Sequence, residues 1–189
     1  ACKLGDKTSS PRKLWESLYL SNCHITNAPP CRWKQVCRGE PTALLSGAFL
    51  QSDLTSSLTQ QHGGLSAAAA KQLDIHLLLL LDVSFQALSD AGYSTKPEGA
   101  GVFTASQPSD FTVLVSDFNV ARSVAAGLQV SGPHCNQDFA CSSGYLATHH
   151  ALSVLQTDGE CRLMLVAGVS LLLKPGSALG LYMMGVLSP

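Results

Sequence analysis

Charge is scarce in this chain. Only 13 % of its 189 residues are charged, 12 basic against 13 acidic, and the formal net charge is −1. Lys and Arg are scattered, which argues against a nucleic-acid footprint or an anionic-membrane surface built on basic patches. Aromatic residues are equally sparse, at 6 %. The longest apolar runs, Leu77 to Leu81 and Leu163 to Leu173, fall short of the roughly 20 residues that span a bilayer. No charged-then-apolar leader opens the chain. It starts at Ala1 and stops at Pro189, and both ends are expected to be cuts in a longer polypeptide. The seven cysteines are an odd number. That favours reduced thiols in a cytosol-like compartment over a disulfide scaffold. Cytoplasm is the expected location, with an organelle such as the plastid as the alternative. What the chain does have is apolar content, 46 %, enough for a large core in one domain or part of one.

Chemistry is concentrated in one stretch, Asp138-Phe139-Ala140-Cys141-Ser142-Ser143-Gly144-Tyr145-Leu146-Ala147. A short apolar run comes up to Ala140, and a helical pattern leaves from Ser142 through Ala147, His150, Ala151, Val154 and Leu155. This is the layout of a nucleophile at a strand-to-helix turn. The first turn of a helix offers unpaired N–H groups and the positive end of the helix dipole, which favour a thiolate over a thiol. The same N–H groups suit the oxyanion that forms when a thiolate attacks a carbonyl. Small residues at 142 to 144 let a substrate approach the backbone closely. The bland alternative is a buried, inert cysteine in a strand–helix packing.

The surrounding residues form an ordered series. Gly132 and Pro133 precede the turn, then come Asp138, Ala140, Cys141, Ser142 and Ser143, then Gly159-Glu160-Cys161, Gly168, and Leu187-Ser188-Pro189. Over nearly sixty residues this resembles the β-ketoacyl synthase (ketosynthase) family of polyketide and fatty acid synthases, whose nucleophile sits in G-P-S, D-T-A-C-S-S-S-L, G-E-C and L-S-P blocks. A second block agrees: Ser10, Pro11, Leu14, Trp15 and Leu18, then Ile25, Thr26, Pro30, Arg32 and Trp33 with small shifts in spacing. A third spans 64 to 92, where Gly64, Ser66, Ala70, Asp74, Leu79, Leu80, Leu81, Ala87, Leu88, Asp90, Ala91 and Gly92 match. Gly47, Phe49, Leu50 and Asp53 match a further short motif.

The chain also departs from that pattern. Ile75, His76, Leu77 and Leu78 replace the family's Pro-Gln-Gln-Arg, removing a charged anchor. Phe139 stands where Thr is usual; its ring either narrows an acyl pocket or packs as an ordinary strand residue. The segment from Asp110 to Gly132 is short, and Arg122 follows Ala121 where the family has Asn. This puts the family's dimer contact and acyl pocket in doubt.

Local patterns give the elements. Ser10-Pro11 reads as a helix N-cap with Pro at the first helical position, and Leu14, Trp15 and Leu18 give that helix one apolar face. Residues 21 to 41 read as loop, broken by Asn27-Ala28-Pro29-Pro30. Ser66 is expected to cap a long helix ending before Gly92, with Leu77 to Leu81 apolar all round and therefore buried. Gly99 to Ala105 reads as a buried strand and Leu163 to Val169 as a strand of a covered parallel sheet. Ser142 to Gln156 is the helix after the nucleophile, with Gly159 as its stop. Cys23, His24, Cys31 and Cys37 invite a zinc reading, but no C-x2-C pair supports it. No metal is expected.

Alternating strands and helices indicate an α/β fold. The resemblance implies the N-terminal half of a thiolase-like fold: a parallel-rich mixed sheet with covering helices and a buried central helix. Residues 1–63 form a loop-rich N-terminal segment and 64–189 the core with the nucleophile turn. The resemblance also implies that Cys141 accepts an acyl chain as a thioester, with Phe139, Ser142 and Ser143 on the substrate side. No cofactor is bound directly; acyl and malonyl groups arrive on the phosphopantetheine of an acyl carrier protein, and the full-length protein is a homodimer. The family's two decarboxylation histidines lie after its L-S-P motif, so these 189 residues alone are expected not to condense. Two competing readings are a degenerate, non-condensing dimer partner or acyl-binding scaffold, and a cysteine hydrolase using a local histidine. His134, His149 and His150 are the histidines nearest in sequence; strand alternation does not aim His134 at Cys141, and the other two sit too far along the helix.

Overall fold

The computed structural model describes residues 1–5, 8–29, 46–50, 73–93, 97–107 and 119–187. The chain divides into two compact units, one of Ala1–Ser52 with Leu172–Pro189 and one of Asp53–Leu171. Cys31, Cys37, Asp53, Ser66, Asp110 and the L-S-P residues Ser188 and Pro189 lie outside the described residues, as does most of the segment before Asn119.

In the first unit, helix α1 spans Pro11–Tyr19. Ser10 caps it, its hydroxyl accepting from the Lys13 N–H at 3.3 Å, as the Ser-Pro pair predicts. Of the three apolar residues expected on one face, Leu14 alone turns partly inward. Trp15 and Leu18 are 69 % and 66 % exposed, and the helix's buried residue is Ser17. The Ser17 hydroxyl is hydrogen-bonded to His24 Nε2. Strand β1 (Thr26–Asn27) falls in the stretch expected to be loop and pairs antiparallel with β2 (Ser46–Gly47). Helix α5 (Pro175–Met183), numbered in chain order after the elements below, completes this unit and has Pro175 in its first turn.

In the second unit, strand β3 (Ala100–Ser106) is buried at every position. It lies between β4 (His134–Gln137) and β5 (Leu163–Val169), parallel to both. Residues alternate across the two faces of this sheet. One face, through Val102, Leu163, Leu165, Ala167 and Val169, packs against α2 (Ile75–Asp90) and α3 (Val120–Leu128). The other, through Phe103, Ala105 and Met164, packs against Ala147 and Ala151 of α4 (Ser143–Thr157). Small residues on α4 let the helix lie close to the strands.

Helix α2 is the buried central helix. Leu77, Leu78, Leu79, Leu80 and Leu81 are all buried, as their all-round apolar pattern requires. It begins later than expected: Asp74, not Ser66, is its N-cap, extended at φ −61° and ψ 137°, with its carboxylate accepting from the His76 N–H at 2.7 Å. Gly127 of α3 lets that helix approach α2, since a Cβ there would lie 2.6 Å from Leu81 Cδ2. Strand β5 differs from a strand covered on both faces: Val166, on the α4 side, is 36 % exposed. Helix α4 ends without a left-handed glycine. Asp158 is extended, and its carboxylate accepts from the Glu160 N–H at 3.0 Å, so an aspartate side chain stops the helix where Gly159 was expected to.

Gly132 is pressed against β3. Its N–H donates to the Ala100 carbonyl at 3.0 Å, and a Cβ would lie 2.3 Å from that same oxygen. Gly132→Ala is therefore expected to destabilise the fold by about 1–3 kcal/mol through overpacking against backbone. Gly159→Ala, whose Cβ would meet nothing within 4 Å, is the matched control. Urea denaturation midpoints test the pair, and equal midpoints would contradict the close approach.

Candidate active site

The turn that carries Cys141 is built by three short steps. Strand β4 ends at Gln137. Asp138 and Phe139 leave the sheet, and Ala140–Ser142 form one 3₁₀ turn that runs directly into α4. Ala140 takes a left-handed conformation, φ +51°. For a residue with a Cβ this costs about 1–2 kcal/mol, so other contacts must hold it.

Two serine hydroxyls supply them. Ser143 Oγ accepts from the Phe139 N–H and donates to the Ala140 carbonyl, both at 2.7 Å. Ser142 Oγ donates to the Phe139 carbonyl at 2.8 Å, and the Ser142 N–H donates to the same oxygen at 3.1 Å. Ser143 is buried and Ser142 exposed. Both hydroxyls, which the sequence assigns to the substrate side, are thus directed at backbone within the bend. Sequence reasoning missed this bracing role, because it depends on how the chain folds back at 139 and 140.

Cys141 sits at the middle of the bend and is exposed, while Cys161 is buried. Cys23 and Cys135 are exposed as well, so exposure does not single out Cys141, but it removes the reading of Cys141 as a packed core cysteine. A Cβ at Gly144 would meet nothing within 4 Å, so the backbone beside the thiol is open to approach. Phe139 is 58 % exposed and lies past the end of β4, so it is not a strand-packing residue.

The local histidines are engaged elsewhere. His134 Nδ1 is 3.2 Å from the Gly132 carbonyl, and His150 Nδ1 is 3.1 Å from Gln137 Nε2. His149 packs loosely against His150, ring centroids 6.1 Å apart. Among the described residues, no hydrogen bond joins a histidine to the Cys141 thiol. The hydrolase reading has no geometric support. Among the described residues, too, no group of three or more His, Cys, Asp or Glu is arranged to hold a metal. Cys23 is exposed and His24 is bound to Ser17.

A parallel sheet covered by helices on both faces, with a strand running through a bend into a helix, is the fold of solved ketosynthases. The solved ketosynthase from module 6 of the bacillaene synthase of Bacillus subtilis 168 superposes with a TM-score of 0.75 at 26 % identity, over 94 % of this chain and 32 % of that one. The family described as β-ketoacyl synthase, N-terminal domain, matches residues 1–189, and the chain belongs to that family. Among curated relatives, the phthioceranic/hydroxyphthioceranic acid synthase of Mycobacterium tuberculosis is 31 % identical over 214 residues. The mycocerosic acid synthase-like polyketide synthase of Mycolicibacterium smegmatis is 32 % identical over 216 residues. Each aligns with 100 % of this chain, which spans 10 % of the relative's length. No helix among the described residues is long and apolar enough to cross a membrane.

Ser143→Ala removes both hydrogen bonds of the buried hydroxyl and leaves the Phe139 N–H without its partner. The expected cost is about 1–3 kcal/mol, against less than about 1 kcal/mol for Ser142→Ala, whose hydroxyl is exposed to water. Chemical denaturation of the two variants measures the difference. Equal, small losses would show that the bend does not rely on Ser143.

Proposed function

We propose that the chain supplies the acyl-accepting half of a β-ketoacyl synthase within a polyketide or fatty acid synthase, with Cys141 as the acyl acceptor. The observation that carries this reading is the exposure of Cys141 on the braced bend in front of α4. In the first step the Cys141 thiolate attacks the carbonyl of an acyl thioester. A carbon–sulfur bond forms, the tetrahedral intermediate collapses, and the pantetheine thiolate leaves and takes up a proton. Thioester exchange suits a cysteine because the bond it forms leaves as readily as the one it breaks. Cys141 immediately precedes α4, and the free amides of a helix N-terminus suit the oxyanion of such an intermediate. In the second step a malonyl thioester loses carbon dioxide, its α-carbon attacks the acyl-Cys141 carbonyl, and the thiolate is released.

Acyl and malonyl thioesters and the acyl carrier protein that bears them are the partners of this reading, and the full-length protein acts as a homodimer in the cytoplasm. Residues 64–189 provide the core and nucleophile turn, and 1–63 the N-terminal segment. Phe139, exposed two residues before the thiol, and the small residues at 142 to 144 border the entering acyl chain. The family relationship and the ketosynthase fold support this assignment. The alternative is a degenerate, non-condensing dimer partner or acyl-binding scaffold, favoured by the replacement of polar family residues at Leu77 and Leu78, both buried.

The test is direct. Incubation with an acyl-pantetheine thioester is expected to add one acyl mass at Cys141, located by peptide mapping because the chain has seven cysteines. Cys141→Ala is expected to abolish that adduct. A folded wild-type protein that takes up no acyl group would demote Cys141 to a structural thiol.

A further inference from the structure

The bend has a second support, placed before it in the chain and outside the residues discussed so far. Asn136 Oδ1 accepts from the Thr104 hydroxyl at 2.8 Å and from the Ser106 hydroxyl at 2.9 Å. Asn136 Nδ2 donates to the Ser106 carbonyl at 3.1 Å. The orientation of this amide is forced. A carbonyl oxygen can only accept, so the nitrogen must face Ser106 O, and the oxygen is left for the two hydroxyls. Thr104 and Ser106 are both buried, so the cluster is shielded from competing water.

Its position in the ladder gives it a purpose. Strands β3 and β4 are paired from Val102↔His134 to Ala105↔Gln137, and the Val102 N–H donates to the Pro133 carbonyl at 2.8 Å. Continuing that parallel pattern, the Ser106 carbonyl would next accept from the Phe139 N–H. It does not. The Phe139 N–H is given to Ser143 Oγ, and the Ser106 carbonyl is taken by the Asn136 side chain instead. One side chain has replaced a rung of the sheet, and the amide so released is the one that closes the bend around Ala140. Without that replacement the Ser106 carbonyl would be buried and unpaired, and the Phe139 N–H would be drawn back to it, straightening the chain where Cys141 must be presented.

We propose that Asn136 is a positioning residue for Cys141, acting by capping the end of β3 so that the chain can turn out of the sheet at Phe139. The inference rests on the acyl-acceptor reading for its effect on activity, and on the hydrogen-bond exchange alone for its structural part. The experiment uses the full chain with Asn136→Ala, and Asn136→Ser as a second variant should the alanine protein not fold, since a serine hydroxyl is too short to reach Ser106 O. Val124→Ala, in the core on the α2 and α3 side, serves as a comparator that loses stability away from the bend. Three quantities are read at Cys141 and its surroundings: the rate of acylation by an acyl-pantetheine thioester, the rate of alkylation by iodoacetamide, and amide hydrogen exchange across 139–143. In Asn136→Ala the acylation rate is expected to fall by about tenfold or more, because thioester attack needs the thiol aligned with the helix amides. Alkylation, which needs only an accessible thiol, is expected to change by less than about twofold. Exchange across 139–143 is expected to quicken. Val124→Ala is expected to change none of the three in the folded protein. Acylation and exchange unchanged in Asn136→Ala, or lowered no more than in Val124→Ala, would overturn the inference. If the wild-type protein is not acylated at all, the acyl-acceptor reading fails, and exchange across 139–143 still decides whether Asn136 holds the bend.

Discussion

The second unit is organised by the burial of one strand. β3 is shielded at every residue, flanked by parallel partners on both edges and by helices on both faces. A backbone buried that completely must have every N–H and C=O paired, and here the pairing falls to β4 and β5. The consequence for function is geometric. Parallel neighbours oblige the chain to leave the end of β4 and return through a helix before it can form β5. The bend that carries Cys141 lies on that obligatory crossover, at the carboxyl end of the strand, where a side chain can be held rigidly at the edge of a packed sheet.

The bend itself is a trade between local strain and local hydrogen bonding. Ala140 is held at φ +51°, a conformation that an alanine does not choose. The cost is offset by the Ser143 hydroxyl, which binds one backbone group on each side of Ala140, and by the two donations to the Phe139 carbonyl. A glycine at 140 would relieve the strain, but it would also widen the unfolded ensemble and loosen the residue next to the thiol. A strained alanine with bracing serines gives a stiffer mount for Cys141 than a relaxed glycine would. In the acyl-acceptor reading proposed above, such rigidity would hold the thiol in line with an incoming carbonyl.

How much of this was legible in the sequence varies with the range of the interaction involved. The Leu77–Leu81 run announced a buried helix, and Val102 and Phe103 within a Gly-bounded apolar stretch announced a buried strand, because burial is written in the composition of the segment itself. The onset of α4 just after Cys141 followed from its helical period. The face of α1 was only partly legible: Leu14 is half-buried as its apolar stripe predicts, yet Trp15 and Leu18 are exposed, and Ser17, bonded to His24, is buried. Nor was the start of α2, where Ser66 and Asp74 are both acceptable caps by type and only the backbone decides between them. At the site, the sequence placed Cys141 between a strand and a helix, which is where the structure has it. The left-handed Ala140 left no trace, since alanine carries no signal for that conformation.

Asn136 marks the limit of such reading most clearly. Its partners, Thr104 and Ser106, are 32 and 30 residues earlier in the chain, and nothing in the run His134-Cys135-Asn136-Gln137 distinguishes it as more than a polar strand residue. On a strand followed by a simple loop it would be an ordinary cross-strand contact. It acquires meaning only because the ladder stops one rung short, which leaves a carbonyl to satisfy and an amide to redirect. The serines at 142 and 143 are open to the same reading. Their place in the family's motif suggests contact with substrate, while their hydroxyls answer to the backbone that carries the thiol. The physical demand at this turn is thus spread over three polar side chains in two roles, Asn136 closing the sheet and Ser142 and Ser143 closing the bend, with Cys141 left free of both.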